Sequence, residues 1–308
     1  MTEYALEAVG CGLRRRRGWA LRDCSFRLPA GRVCALVGPN GAGKTTFLSI
    51  AADLLRPTTG TVRLFGEPPG GREARGWTAL LSQDKALYKN FRVDEILRMG
   101  RELNPTWDQR RAEEIILQGD VPLGARIGML SGGQRTRVAF ALALGKRPRL
   151  MLLDEPMADL DPLVRRQMTD ALLDDARNHG TTVVMSSHVV AELDGACDYL
   201  VLISNGTVRL AGEIDVITDE HRLLTAPDQD RARRQDLRGH VVVGTMTERR
   251  RLTALVRPHG PLPQGWEAGT PTLEELLLTH LSSTDAPPLI TPSARVNADG
   301  VLSPGGAA

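Results

Sequence analysis

The sequence has no apolar run that approaches the ~18 residues of a membrane-spanning helix, so we expect no segment to cross a bilayer. The first residues, Met-Thr-Glu-Tyr, lack the apolar core of a signal peptide. The four cysteines show no C-x-x-C spacing, which argues against a zinc site and against a disulfide framework. These absences are typical of a protein that works in a reducing cytosol.

A large excess of charge of either sign is also missing. The 39 Lys and Arg residues against 37 Asp and Glu residues leave a net charge of +2, so no strong overall attraction to nucleic acid or to a membrane surface is expected. Two basic runs, residues 14–17 and 249–251, are interpreted as solvated turns or strand ends. With 308 residues, the chain is long enough for one large domain and a smaller one.

A glycine-rich stretch in the N-terminal part fits the phosphate-binding pattern G-x-x-x-x-G-K-[ST]. It follows a short apolar run, residues 33–37, and precedes a helical pattern over residues 46–55, which is the strand–turn–helix context that the pattern requires. The stretch consists of Gly38, Pro39, Asn40, Gly41, Ala42, Gly43, Lys44, Thr45 and Thr46.

The residue types in this stretch suit a nucleotide phosphate. Glycines without a Cβ allow a tight turn whose backbone N–H groups point inward, and the start of the next helix adds its own free N–H groups. Lys44 can reach the β- and γ-phosphates, and the Thr45 hydroxyl can ligate Mg²⁺. We therefore expect a nucleotide polyphosphate and Mg²⁺ as ligands, and the family resemblance given below implies that the nucleotide is ATP.

Three later stretches carry further candidate residues. Ser131 is a plausible N-cap for a helical run that follows it, so this helix start is either a second anion site or an ordinary cap. Asp154 and Glu155 follow a buried apolar run, residues 150–153, where a carboxylate can hold Mg²⁺ and its neighbour can accept a proton from water. His188 comes at the end of another predicted strand, residues 181–187, where parallel sheets bind ligands.

The remaining pattern predicts an α/β fold with an inserted helical block. Residues 1–37 and 61–65 alternate like strands, residues 76–82 predict another strand ending at Gln83, and helical periodicity begins near residue 93. Beyond residue 218 the pattern predicts a small α/β appendage, including a capping box at Thr272. Residues 284–308 are rich in Pro, Ser, Ala and Gly and are predicted to be disordered.

Taken together, the chain resembles the ATP-binding subunits of ABC transporters over residues 1–217. The most specific mark is LSGGQ at residues 130–134, between a phosphate loop and an apolar run ending in Asp-Glu. The resemblance implies a phosphate-loop NTPase core with an antiparallel β subdomain and an inserted helical subdomain at about residues 84–130. Residues 218–283 would form the C-terminal α/β appendage.

The resemblance also implies roles for single residues. Lys44, Gln83, Glu155 and His188 would be catalytic, with Glu155 as the base that activates water and His188 as the switch histidine. Thr45, Gln83 and Asp154 would hold Mg²⁺. The signature would contact the γ-phosphate bound to the opposite subunit through Ser131, Gly132, Gly133 and Gln134, and residues 158–161 resemble the D-loop.

One position departs from the family pattern. The family usually has an aromatic residue a little more than twenty residues before the phosphate loop, where its ring stacks on adenine. This chain has four arginines and then Gly18-Trp19 in that region. A guanidinium can also stack on a base, so Arg15 or Trp19 is predicted to contact adenine.

The function expected from the resemblance is ATP hydrolysis in a dimer of these subunits, coupled to a separate transmembrane permease. The subunit would be cytoplasmic and peripheral to the inner face of the cell membrane, with membrane contact only through the permease and no nucleic acid partner. Export of a drug, antibiotic or lipid is the expected direction. The alternative is a soluble ABC ATPase that moves no solute. Because the candidate ATP-site residues all precede residue 218, the appendage is expected to be dispensable for hydrolysis.

Overall fold

The computed structural model describes residues 4–158, 160–187, 195–227, 235–248, 251–283 and 285–296. Among these residues, no helix is both long enough and apolar enough to cross a membrane. In chain order, the elements are β1 Tyr4–Arg15, β2 Gly18–Pro29, β3 Val33–Val37, α1 Lys44–Ala51, β4 Thr59–Leu64, α2 Arg72–Trp77, β5 Thr78–Leu81, α3 Val93–Leu103, α4 Gln109–Leu117, α5 Gly132–Gly145, β6 Leu150–Leu153, α6 Pro162–His179, β7 Thr182–Ser187, β8 Tyr199–Ser204, β9 Thr207–Glu213, α7 Ile214–Asp219, β10 Arg222–Pro227, β11 Val241–Glu248, β12 Arg251–Arg257, β13 Glu267–Gly269, α8 Leu273–Ser282 and β14 Leu289–Ile290.

A seven-stranded sheet forms the centre of the molecule, in the order β14-β9-β8-β3-β7-β6-β5. The strands β3, β7, β6 and β5 run parallel, and every residue of β6 and β7 is buried. Continuous burial of this kind is typical of a parallel sheet covered on both faces, which explains the unbroken apolar runs in the sequence. The carboxyl ends of β3, β6 and β7 therefore meet at one edge of the sheet.

Two predicted subdomains accompany this sheet. The antiparallel strands β2-β1-β4 form a separate three-stranded sheet, and the basic run at residues 14–17 lies at the turn between β1 and β2. The helices α3 and α4 form the inserted block and are separated near Pro105. The α/β phosphate-loop fold class is confirmed.

One predicted strand begins as a helix instead. A strand is expected over residues 76–82. In the structure, residues 76 and 77 are the end of α2, and the strand that follows, β5, contains only four residues. The Trp77 ring packs edge-on against Phe65, with ring centroids 5.8 Å apart, and the Arg149 guanidinium lies over both rings. These partners are distant in sequence, so local alternation could not reveal where the strand begins.

The predicted disorder of residues 284–308 is wrong for the described part, residues 285–296. Strand β14 pairs in parallel with β9 at the edge of the central sheet, and Ala294 is buried in the core. The hydroxyls of Thr291 and Ser293 donate to the Glu213 carboxylate at 3.2 and 2.7 Å. Although burial acts to raise it, hydrogen bonds from Ser293 and Thr291 help to hold the pKa of Glu213 below its ordinary value. Residues 297–308 lie outside the described residues.

The appendage is also continuous with the α/β core of residues 1–217. Its antiparallel sheet has the order β11-β12-β10-β13, and α8 begins at the predicted Thr272 capping box. Buried side chains of the appendage, such as Leu255 and Leu277, belong to the same apolar cluster as Leu210 and Ile217. A boundary at residue 217 therefore divides a shared core.

A buried histidine pair lies at this junction. His221 is held at Nδ1 by the Ile217 carbonyl at 2.6 Å, and its Nε2 lies 3.1 Å from Nε2 of His280. A carbonyl can only accept, so His221 carries its proton on Nδ1 and His280 donates from Nε2. Burial lowers the pKa of His221, and burial with the charges of His221, Arg257 and Arg209 lowers the pKa of His280 to about 3.

We expect deletion of residues 285–308 to lower the free energy of unfolding by roughly 2–5 kcal/mol, because it removes β14 and two hydrogen bonds to a carboxylate. The measurement is urea unfolding followed by circular dichroism. Deletion of residues 297–308 alone keeps Thr291, Ser293 and Ala294 and serves as the control. Equal losses in the two variants would contradict a role for the β14–β9 contact.

We also expect the histidine pair to make the fold acid-sensitive. Below pH 6.5 the unfolded chain binds a proton at His280 whereas the folded chain does not until about pH 3, so stability falls as pH decreases between these values. At pH 5 the loss from His280 should be about 2 kcal/mol. His280→Gln should reduce the difference in unfolding free energy between pH 7 and pH 5 by this amount. The exposed control His259→Gln should leave that difference unchanged, and an unchanged slope in His280→Gln would refute the assignment.

Candidate functional site

The phosphate loop connects the carboxyl end of β3 to the first residue of α1. Gly43 has φ 113°, in the region that favours glycine, and a Cβ there would lie 2.6 Å from Cδ2 of Leu21. A Cβ on Gly38 would lie 2.1 Å from the Ile203 carbonyl oxygen. These two glycines are therefore required by close packing of the loop against β2 and β8.

The Lys44 ammonium lies inside this loop. Its Nζ donates to the Gly38 carbonyl at 2.7 Å and to the Pro39 carbonyl at 3.4 Å, and it lies 3.9 Å from Oε1 of Glu155. Burial lowers the pKa of Lys44, and the nearby Glu155 and Asp154 carboxylates oppose this effect. A cation held mainly by backbone carbonyls can exchange those contacts for phosphate oxygens.

The two acids at the end of β6 are joined through a serine of the neighbouring strand β7. The Ser186 hydroxyl donates to Oδ1 of buried Asp154 at 2.8 Å and accepts from the backbone N–H of Glu155 at 2.8 Å. Glu155 has φ 45°, an uncommon left-handed conformation for a residue other than glycine. Ser186 was not predicted, because it is one of three hydroxyl residues in β7, with Thr182 and Ser187, and nothing in the local sequence distinguishes it from the other two.

Lys44 and Glu155 line one cavity of about 560 Å³. Every lining residue except Ala20 was predicted from the sequence. The lining consists of Arg15, Ala20, Asn40, Gly41, Gly43, Lys44, Thr45, Thr46, Gln83 and Glu155. Gly38, Pro39, Ala42 and Asp154 do not line the cavity, and the first two contact Lys44 through their carbonyls.

Other predicted residues lie elsewhere. Ser131 caps α5, its hydroxyl accepting from Gln134 N–H at 3.2 Å while the Gln134 side chain accepts from Ser131 N–H at 3.0 Å. This segment, which includes Gly132 and Gly133, does not line the cavity, and neither does Trp19. His188 and Asp159 lie outside the described residues.

The chemistry of the cavity suits a magnesium-bound polyphosphate. The start of α1 and the loop provide N–H donors, and Lys44 provides a cation beside them. Thr45, Gln83 and Asp154 offer a hydroxyl, an amide oxygen and a carboxylate, the oxygen ligands that Mg²⁺ prefers. Glu155 lies next to this set with its side chain mostly buried.

Comparison with known proteins agrees with this chemistry. The sequence model of the ABC transporter family matches residues 21–158. The chain is 34% identical to the uncharacterized ABC transporter ATP-binding protein YxlF of Bacillus subtilis, over 66% of this chain and 69% of the relative. It is 38% identical to the aliphatic sulfonates import ATP-binding protein SsuB of Pseudomonas putida, over 67% of this chain and 76% of the relative.

Solved structures agree as well. A structure described as the ATP-binding subunit of an ABC transporter is 26% identical to this chain and superimposes with a TM-score of 0.65, covering 70% of this chain and 92% of that one. With the phosphate loop, the Asp-Glu pair and these relatives considered together, the chain belongs to the ATP-binding subunits of ABC transporters and is an ATPase.

Proposed function

We propose that two copies of this chain form the ATP-hydrolysing unit of a transporter, each site combining the cavity of one copy with the Ser131 segment of the other. The observation that carries this proposal is the separation of the two parts within one chain. Lys44, Gln83 and Glu155 line the cavity, whereas Ser131 lies exposed at the start of α5 and does not. The capping box occupies the N–H groups of Ser131 and Gln134, and the N–H groups of Gly132 and Gly133 between them are suited to a phosphate, so a second copy would complete the site.

In this proposal the residues of the chain divide the chemistry among them. Lys44 leaves the loop carbonyls and contacts the β- and γ-phosphates, and Thr45, Gln83 and Asp154 hold Mg²⁺, which neutralises phosphate charge. Ser186 orients the Asp154 carboxylate and the Glu155 backbone. Glu155 accepts a proton from the attacking water. The role expected for His188 stays a prediction.

A second surface supports a permease partner. A groove of about 380 Å³ runs between β5 and α5. Its lining includes Leu142 and Ser82, and Ser82 directly precedes Gln83 in the sequence. Near it in sequence, the exposed rings of Tyr88 and Phe91 stack with centroids 5.2 Å apart. Exposed aromatic pairs are typical of protein interfaces. We propose that the permease docks here, which would place the subunit at the inner face of the membrane.

The direction of transport rests on the sequence relatives. The family resemblance predicts export of a drug, antibiotic or lipid, but the relative SsuB is named for import of aliphatic sulfonates. That relative favours import and gives no support to export. Our proposal is therefore limited to ATP-driven transport. Co-purification with a membrane permease separates a transporter from the alternative, a soluble ABC ATPase, and uptake into permease-containing vesicles gives the direction.

We expect Lys44→Ala to abolish ATP hydrolysis and to weaken Mg·ATP binding by roughly 10–100-fold, because hydrogen bonds to charged groups are worth about 1.5–3 kcal/mol. The measurements are phosphate release and titration calorimetry. Lys89→Ala removes an exposed lysine and is the matched control. A folded Lys44→Ala protein that hydrolyses ATP at the parental rate would refute the ATPase assignment of this cavity.

We expect Glu155→Gln to accumulate as an ATP-bound dimer. Glutamine keeps the size of the side chain but cannot accept a proton, so hydrolysis should slow by ~10²–10⁴-fold while nucleotide binding changes far less. Size-exclusion chromatography with Mg·ATP should show a dimer for this variant and mostly monomer for the parent.

Adding Ser131→Arg to Glu155→Gln should abolish the dimer, because a bulky side chain would occupy the place of the partner's γ-phosphate. Arg98→Ala, an exposed change on α3, added to the same background is the control. A Glu155→Gln protein that stays monomeric and hydrolyses ATP normally would contradict both the role of Glu155 and the shared site.

A further inference from the structure

Ser186 lies where the backbone pairing between two strands of the central sheet ends. The last paired residues of β6 and β7 are Leu153 and Met185, so Ser186 comes one position beyond this pairing, beside Asp154. The backbone of Ser186 still pairs with Leu36 of β3, and its side chain is fully buried. The hydroxyl is therefore presented to the residues that directly follow β6.

The hydrogen bonds of this hydroxyl have a fixed direction. A hydroxyl can donate one hydrogen bond and accept others, whereas a backbone N–H can only donate. The Glu155 N–H therefore donates to Oγ of Ser186 at 2.8 Å. The hydroxyl proton is left to donate to Oδ1 of Asp154, also at 2.8 Å. A single hydroxyl thus connects the carboxylate expected to bind the metal with the backbone of the residue expected to act as the base.

The backbone of Glu155 is held in an uncommon conformation by its hydrogen bonds. Its φ of 45° is left-handed, which is unfavourable for a residue that carries a Cβ. Its N–H donates to Ser186, and its carbonyl accepts from the Ala158 N–H at 3.2 Å. The backbone conformation directs the side chain, whose Oε1 lies 3.9 Å from Nζ of Lys44. Ser186 therefore contributes to the placement of the Glu155 carboxylate without touching it.

The same hydroxyl leaves one carboxylate oxygen of Asp154 for a metal. Asp154 is buried, and its N–H donates to the Leu81 carbonyl of β5 at 2.9 Å. Its Oδ1 accepts from Ser186, whereas Oδ2 accepts no hydrogen bond among the residues that the structure describes. The backbone of Asp154 is thus fixed by β5 and its carboxylate by β7, so Oδ2 is the oxygen available for Mg²⁺.

We propose that Ser186 is a positioning residue that couples metal binding at Asp154 to the placement of Glu155. The proposal rests on the roles proposed above for these two acids and adds a residue that does not line the cavity. By donating to Oδ1, Ser186 directs Oδ2 toward the metal, and by accepting from the Glu155 N–H it keeps the Glu155 carboxylate beside Lys44. An apolar residue in its place would leave both groups without this partner, so metal binding and hydrolysis would decline together.

The test measures metal binding separately from hydrolysis. Titration calorimetry gives the Kd of a non-hydrolysable ATP analogue in EDTA and in Mg²⁺, and the ratio of the two values measures the contribution of the metal. Ser186→Ala should lower this ratio by roughly 10-fold and kcat at saturating Mg·ATP by roughly 10–100-fold, as is typical when a group that orients a metal ligand is removed. The Kd in EDTA should stay within about twofold of the parental value, because the loop N–H groups and Lys44 hold the phosphates.

Three further variants separate positioning from packing. Ser186→Thr keeps the hydroxyl and should restore both the ratio and kcat to within about threefold of the parent. Ser186→Cys keeps the size of the side chain with a weaker donor, so it should lie between Ser186→Ala and the parent, and it takes the place of Ser186→Ala if that protein does not fold. Val184→Ala removes buried volume from the same face of β7 without removing either hydrogen bond, so it should keep the parental ratio and kcat.

The outcomes distinguish this proposal from the one on which it rests. A parental ratio in Ser186→Ala would overturn the coupling, whether or not kcat falls, and equal losses in Val184→Ala would show that packing alone is responsible. A parent protein whose affinity for the analogue does not depend on Mg²⁺, or a Glu155→Gln protein with parental kcat, would instead refute the roles proposed for Asp154 and Glu155.

Discussion

The site is arranged around the contact of the Lys44 ammonium with the carbonyls of its own loop and with the Glu155 carboxylate. It exists because β3, β6 and β7 end at the same edge of a parallel sheet, which brings residues more than a hundred positions apart within reach. Ser186 extends the arrangement by bridging Asp154 and the Glu155 backbone. Packing of the loop glycines against β2 and β8 holds the cation in place.

The C-terminal third is integrated with this sheet to an extent that a simple domain boundary would not suggest. Strand β14 extends the sheet at β9, and Glu213 receives hydroxyl hydrogen bonds from Thr291 and Ser293. The appendage buries Leu255 and Leu277 in the same cluster as the ATPase core. All described residues that line the cavity precede residue 218, so the described part of the appendage contributes no side chain to it.

At the β1–β2 hairpin, this chain has arginines followed by Gly18-Trp19 where the resemblance to the family leads us to expect an aromatic residue. Replacing a ring by a guanidinium keeps a flat surface for a purine but changes the hydrogen-bonding groups around it. The phosphate end imposes no preference among nucleoside triphosphates, because all of them carry the same phosphates.

The sequence alone was sufficient to predict the features that depend on interactions between neighbouring residues in the chain. The phosphate loop, the caps at Ser131 and Thr272, and the buried apolar strands depend on residues within a few positions of one another. The helix start before β5, the bridging role of Ser186 and the return of residues 285–296 to β9 depended on the tertiary structure. Each of these requires a partner far away in sequence: Phe65 and Arg149 for Trp77, β6 for Ser186, and Glu213 for Thr291. A periodicity or a motif describes only neighbours along the chain, so contacts between distant strands are decided when the sheet assembles.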